Sequence, residues 1–402
     1  MLQQLNDLLQ KNQDWIIKQR RYLHQFPEAS QQEYKTSERI ISILNELKVD
    51  EVKTEFYKTG VTGLIKGNKP GPTIGLRFDI DALEMEEKTG LDFASRNQGL
   101  MHACGHDGHT AMGLGAALVL MELKDQFPGN IKLIFQPAEE DGQHGGGAQY
   151  LIEEGVLKEP EVSAILGMHI WPNLAAGKIA TRPGVIMGAS DPFQILITGQ
   201  GGHASQPHFT VDPIVIGSQI VNNLQTVVSR NIDPFEQAVI SIGVFAGGTR
   251  YNTIPDQVIL KGTVRTFDQG IRDKVESRIK AIIEKTAESL GGRAELNYTR
   301  GYPPVDNNQG LVRLAEETLV GPESLTELIM AERPAPTGED FAYFAQTVPG
   351  LFLWLGAGEA KDSPGLHSPY FNFPEEILLN GVQALTSIAI NWLRNQEAEN
   401  GR

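Results

Sequence analysis

Nine consecutive residues, Met101-His102-Ala103-Cys104-Gly105-His106-Asp107-Gly108-His109, hold the only cysteine of the chain, three of its nine histidines and a carboxylate. A lone cysteine cannot form an internal disulfide, so Cys104 is a ligand, a nucleophile or plain packing. Thiolate, imidazole and carboxylate are the groups that bind zinc, manganese and related cations. Extended backbone here would project Cys104 and His106 to the same side, where one cation touches both. The rival chemistry makes Cys104 a nucleophile with His106 or His109 as its base.

Three further segments offer ligand types where an element ends. Gln136-Pro137-Ala138-Glu139-Glu140-Asp141 follows an apolar, strand-like run, and sites of α/β proteins form beyond the carboxyl ends of buried strands. In extended chain Glu139 and Glu140 would point opposite ways, one to a metal and one to a substrate. A solvated acidic loop is the plain alternative. Gly167-Met168-His169 ends another strand-like run, and Gly365-Leu366-His367-Ser368-Pro369 places a histidine in a turn-rich loop. Each histidine alone is ordinary; sequence-distant ligands converging on one sheet edge are how catalytic metal sites are built. Gly199-Gln200-Gly201-Gly202-His203-Ala204-Ser205 sets His203 in a glycine-dense turn, which by itself requires only tight backbone. Asn252 and Arg265 are polar groups able to hold a carboxylate, although an exposed structural arginine is as common. The glycine-rich residues 142–147 lack the lysine and spacing of a phosphate-binding loop.

Positioning these residues needs a layered scaffold. Apolar residues recur at helical spacing over residues 2–26, 36–47, 110–123 and 147–154, alternating with β-branched runs at 61–65, 73–78, 131–135 and 162–168. That alternation predicts an α/β architecture. Beyond Gly177 strands outnumber helices: 178–186, 193–198, 238–245, 257–266 and 294–298 read as strands, 213–229 and 272–290 as helices. The helix–strand texture then resumes, with a strand at 352–355 and a closing helix at 374–393. The expectation is a discontinuous metal-binding catalytic domain, 1–185 and 300–402, around an inserted α+β domain at 186–299.

A length of 402 residues implies about two domains. The net charge of −15 opposes binding to nucleic acid or to an anionic membrane surface. No apolar run approaches the ~20 residues of a membrane span. With no disulfide possible, the expected compartment is the cytoplasm.

Taken together, the motifs resemble the aminoacylase and carboxypeptidase-G superfamily of dinuclear metallo-amidohydrolases. Within it they are closest in kind to the branch of auxin-conjugate hydrolases, hippurate hydrolases and bacterial N-acyl-amino-acid amidohydrolases. His24-Gln25-Phe26-Pro27-Glu28, Arg77-Phe78-Asp79-Ile80-Asp81-Ala82-Leu83, the cysteine motif, Phe135 to Glu140, Gly167-Met168-His169, Gly201-Gly202-His203-Ala204, Gly338-Glu339-Asp340-Phe341 and Leu366-His367-Ser368-Pro369 carry it in the family's order. The sequence departs at Leu83-Glu84-Met85, where the branch usually has a proline.

The resemblance implies a mixed-sheet, zinc-peptidase-like catalytic domain with an inserted lid and dimerisation domain. It implies two divalent metal ions (manganese, zinc, cobalt or nickel) on Cys104, His106, Glu140, His169 and His367, with Glu139 as general base and acid. His203 would stabilise the oxyanion, in cis or from a partner subunit of a homo-oligomer, and Asn252 and Arg265 would hold the substrate's carboxylate. The implied reaction is hydrolysis of the amide of N-acyl amino acids with acetyl, benzoyl or indole-acetyl groups. Alternatives on the same scaffold are a metallo-carboxypeptidase or dipeptidase, or a non-catalytic binding protein. Asp107 and His109 are expected as supports rather than ligands.

Overall fold

Strands buried on both faces are near-continuous apolar runs, and Thr73–Asp79 and Gly350–Gly356 are buried at every position. The computed structural model describes residues 1–142, 144–321, 324–358 and 364–400. It divides into two units: Met1–Ile186, Asp306–Arg333 and Asp340–Arg402 form the first, Met187–Val305 and Pro334–Glu339 the second.

The first unit holds an eight-stranded mixed sheet in the order Glu51–Phe56, Gly60–Lys66, Asn130–Gln136, Thr73–Asp79, Val162–Trp171, Gly350–Gly356, Ile179–Thr181, Leu328–Met330. The four strands from Asn130–Gln136 to Gly350–Gly356 pair in parallel, so their carboxyl ends share one edge. That edge receives Asp79, Gln136 and the end of the His169 strand. Helix His106–Leu123 packs on this sheet with Leu2–Gln25 and Ile377–Asn400. It is apolar nearly all round, as a helix enclosed by a core must be. A Cβ at Gly113 would lie 2.6 Å from the Phe135 ring and 2.7 Å from that of Phe78, so glycine sets this close approach. Phe78 faces that helix; its neighbour Arg77, on the opposite face by strand alternation, reaches Asp340.

The expected strand over 178–186 is two strands, Ile179–Thr181 and Gly184–Met187. Pro183 lacks an amide donor and Gly184 takes a φ of 73°, which together break the ladder. The cysteine motif is not extended as its spacing suggested. Residues 103–105 form a turn, Gly105 adopts a φ of 88°, and His106 opens the helix.

The second unit is α+β: an antiparallel sheet in the order Ala238–Gly247, Gln257–Thr266, Ala189–Thr198, Arg293–Tyr298, with helices Pro213–Asn231 and Gln269–Ser289. Ala189–Thr198 alternates buried and less buried positions, the period of a sheet with one covered face. Asp212 and Asp268 cap the two helices by accepting the amides of Ile214 and Ile271. Buried Asp191 accepts Arg272 Nε at 2.9 Å and the Tyr298 hydroxyl at 2.8 Å, tying sheet to helix. Among the described residues, no helix is long and apolar enough to cross a membrane.

Candidate metal centre

Two loops at the shared carboxyl edge, the end of strand Val162–Trp171 and a loop near the C-terminus bring the candidate ligands of the first unit together. Among the described residues, Cys104, His106 and His169 place their donor atoms within 4.8 Å of one another, as do Cys104, Glu140 and His367. Cys104 is common to both groups: its Sγ lies 3.4 Å from His169 Nε2 and 3.3 Å from His367 Nε2. A third group joins His106, Glu139 and Glu140. Glu139 and Glu140 therefore do not diverge as extended chain would require. Ala138, at a φ of 57°, turns the backbone so that Glu139 Oε2 and Glu140 Oε1 lie 3.9 and 4.0 Å from His106 Nε2.

The ring nitrogens are sorted by their hydrogen bonds. His106 Nδ1 donates to the carbonyl of Asp81 at 3.0 Å and to its carboxylate at 3.1 Å, leaving Nε2 toward the cluster. His169 Nδ1 donates to the carbonyl of Ile170 at 2.6 Å, again freeing Nε2. This outward-facing support is the usual device for aiming a ligand imidazole. His109 is different. Its Nδ1 bonds Asp79 at 2.5 Å and its Nε2 accepts the amide of Ile170 at 2.8 Å, so no lone pair remains for a metal. Asp107 also faces away, its Oδ2 accepting Arg20 Nε at 3.1 Å and His24 Nδ1 at 2.9 Å.

The electrostatics fit a cation. Burial pushes the Cys104 thiol well up, and Glu140 and Glu139 push it further. Burial would lower His106, yet Asp79, Asp81 and Glu140 outweigh it and raise it to about 10. Burial, then the neighbouring His109, hold His169 well below its ordinary value, which keeps its imidazole neutral. His367 is raised, first by its hydrogen bond to Glu140 and against its own burial. His106 Nε2 is buried without a hydrogen-bond partner, with the Glu139 and Glu140 oxygens standing 3.9 and 4.0 Å away. Those separations exceed a hydrogen bond and suit donors that share a cation bound at about 2.0–2.3 Å. The residues present therefore fit divalent metal. They do not fit a cysteine nucleophile with either histidine as its base: acidic surroundings oppose the thiolate, His106 is raised to about 10 and so carries its proton already, and both His109 nitrogens are engaged elsewhere.

The other candidates belong to the second unit. His203 lies in a two-stranded ladder, Gly202–His203 with Thr253–Ile254, and the Ala204 amide donates to the Asn252 carbonyl at 3.1 Å. His203 Nδ1 accepts the Ser205 amide at 3.1 Å, which puts the ring proton on Nε2 as an outward donor. Arg265 is near the far end of strand Gln257–Thr266, eight residues and about 26 Å along the strand from Gln257, the end that follows the Thr253–Ile254 partner of His203. It donates to Thr263 and to the Val264 carbonyl. One unit thus does not bring Arg265 together with His203 and Asn252.

Asp79 and Asp81, which hold His109 and His106, received no role from sequence. Their signal was available: two carboxylates, two residues apart, at the carboxyl end of a buried strand.

Comparison with known proteins accords with this geometry. The family model for peptidase family M20/M25/M40 matches residues 75–391. The chain is 39% identical over 382 residues to N-acetyl-L-cysteine deacetylase of Bacillus subtilis, covering 95% of this chain and 89% of that one. It is 39% identical over 396 residues to thermostable carboxypeptidase 1 of Saccharolobus solfataricus, covering 98% and 99%. A crystal structure of a Bacillus subtilis dinuclear metal-binding peptidase of the M20 family superposes with a TM-score of 0.83 at 36% identity, covering 96% of this chain and 99% of that one. The chain belongs to peptidase family M20/M25/M40 and is a metal-dependent amidohydrolase of that family.

Proposed function

We propose that the protein hydrolyses the amide bond of N-acyl amino acids, releasing a carboxylic acid and the free amino acid. The observation that carries this reading is the pair of donor groups sharing Cys104, with Glu139 beside them. Cys104, His106, Glu140, His169 and His367 hold two divalent ions. Such ions supply Lewis acidity and make water a usable nucleophile near neutral pH.

Glu139 takes a proton from the attacking water and delivers it to the leaving nitrogen. His203 offers its Nε2 proton to the oxygen that gains charge, an interaction whose loss typically costs about 3–4 kcal/mol of barrier. Asn252 and Arg265 hold the substrate's carboxylate. Their separation within one unit favours contributions from two copies of the chain, so the protein works as a homodimer or larger homo-oligomer formed through the second unit. The compartment consistent with a buried free thiol is the cytoplasm.

The carboxypeptidase relative supports a second reading, cleavage of peptides on the same scaffold. Metal-stripped protein, reloaded separately with manganese, zinc, cobalt and nickel, should be assayed against N-acetyl, benzoyl and indole-acetyl amino acids and against dipeptides. Metal-dependent release of free amino acid from the N-acyl compounds at the higher kcat/KM is expected. Faster turnover of dipeptides would replace this function with the second, and activity surviving verified metal removal would sink both.

A further inference from the structure

Glu33 is fully buried and stands at the N-cap position of helix Tyr34–Glu46, yet its side chain does not cap that helix. It crosses instead to the turn that carries Glu139. Glu33 Oε1 accepts the backbone amide of Ala138 at 2.9 Å and that of Gln31 at 2.9 Å, and Oε2 accepts the Thr59 hydroxyl at 2.8 Å. Ala138 is itself buried, and its φ of 57° is a conformation that an alanine adopts only when its surroundings impose it. Two residues on, the Glu140 amide donates to Asp81 Oδ2 at 2.9 Å. The backbone on either side of Glu139 is thus pinned by a buried carboxylate.

We propose that Glu33 is a positioning residue for Glu139. By accepting the Ala138 amide it keeps that residue left-handed, and so fixes the direction in which the Glu139 side chain leaves the turn. The inference rests on Glu139 being the proton-transfer group. Hydrogen-bond length matters here more than charge, because the device works by reaching one amide.

Glu33→Gln and Glu33→Asp separate those two properties. The glutamine keeps the reach and an acceptor oxygen while losing charge; the aspartate keeps charge but is one methylene short. Kinetics on metal-loaded protein, with bound metal quantified, should show Glu33→Gln within about threefold of wild type. Glu33→Asp should lower kcat about 100-fold, the scale of a misplaced reacting group, with KM and metal content unchanged. A crystal structure of Glu33→Asp should show Ala138 departed from positive φ and the Glu139 carboxylate shifted. The inference is overturned if Glu33→Asp matches wild type, if Gln is the more damaging change, or if metal and kcat fall in parallel. Absence of turnover in metal-loaded wild type would defeat the proposed activity instead; the structure of Glu33→Asp then decides alone, and Ala138 retained at positive φ counts against Glu33.

Discussion

At the scale of single residues, identical side chains take different roles because of what their far atoms touch. His106, His109 and His169 are all buried, but only His109 spends both ring nitrogens away from Cys104, on Asp79 and the Ile170 amide. His24 is a further case. Both of its nitrogens face carboxylates, Asp107 and Glu87, which only the doubly protonated ring satisfies. Burial lowers its pKa, but Asp107 and Glu87 outweigh that and raise it to about 9. A pKa raised on folding gives stability that is complete below about 6.5 and is lost as pH climbs through 9. The expected loss across that window is about 3 kcal/mol, and His24→Gln should abolish it. The difference between the urea-denaturation pH profiles of the two proteins measures it, and parallel profiles would show that His24 does not titrate in this way. The donor types of Cys104, His106, Glu140, His169 and His367 were legible in sequence because the chemistry belongs to the side chain. The choice of nitrogen was not, since it depends on carbonyls and carboxylates brought up by folding, such as Asp81 against His106 and Ile170 against His169.

At the scale of elements, buried strands were legible because they must be apolar on both faces. Thr73–Asp79 and Val162–Trp171 differ from the runs read in sequence only at their ends. The ends are where polar residues enter, and His169 lies inside the strand rather than after it. Edge strands escaped: Glu51–Phe56 intersperses charges with apolar residues, and Leu328–Met330 is three residues long. The extended form expected for the cysteine motif failed for a local reason, since Gly105 at positive φ turns the chain into the helix. Glycine matters differently at Gly113, where the helix touches Phe78 and Phe135. Gly113→Ala should destabilise the protein by about 1–3 kcal/mol through overpacking, measured by the urea midpoint. An unchanged midpoint would mean that the rings can yield.

At the scale of the whole molecule, the change in texture after Gly177 placed the start of a second unit at 186, against Met187 in the structure, but its end carried no such mark. The second unit runs on to Val305 and adds Pro334–Glu339, segments with no compositional mark of their own. If His203 serves the site of another copy, two inactive variants should complement. His203→Ala mixed with Glu139→Gln, after subunit exchange, should recover about a quarter of wild-type activity, because half the dimers are mixed and each has one complete site. No recovery from a mixture shown to exchange would place His203 in cis. The central claim, that a metal centre works through Glu139, is tested most directly on Glu139→Gln alone, by measuring bound metal and turnover of an N-acetyl amino acid on one preparation. Metal content equal to wild type with turnover reduced about 100- to 10,000-fold is expected. Turnover retained at full metal content would contradict it.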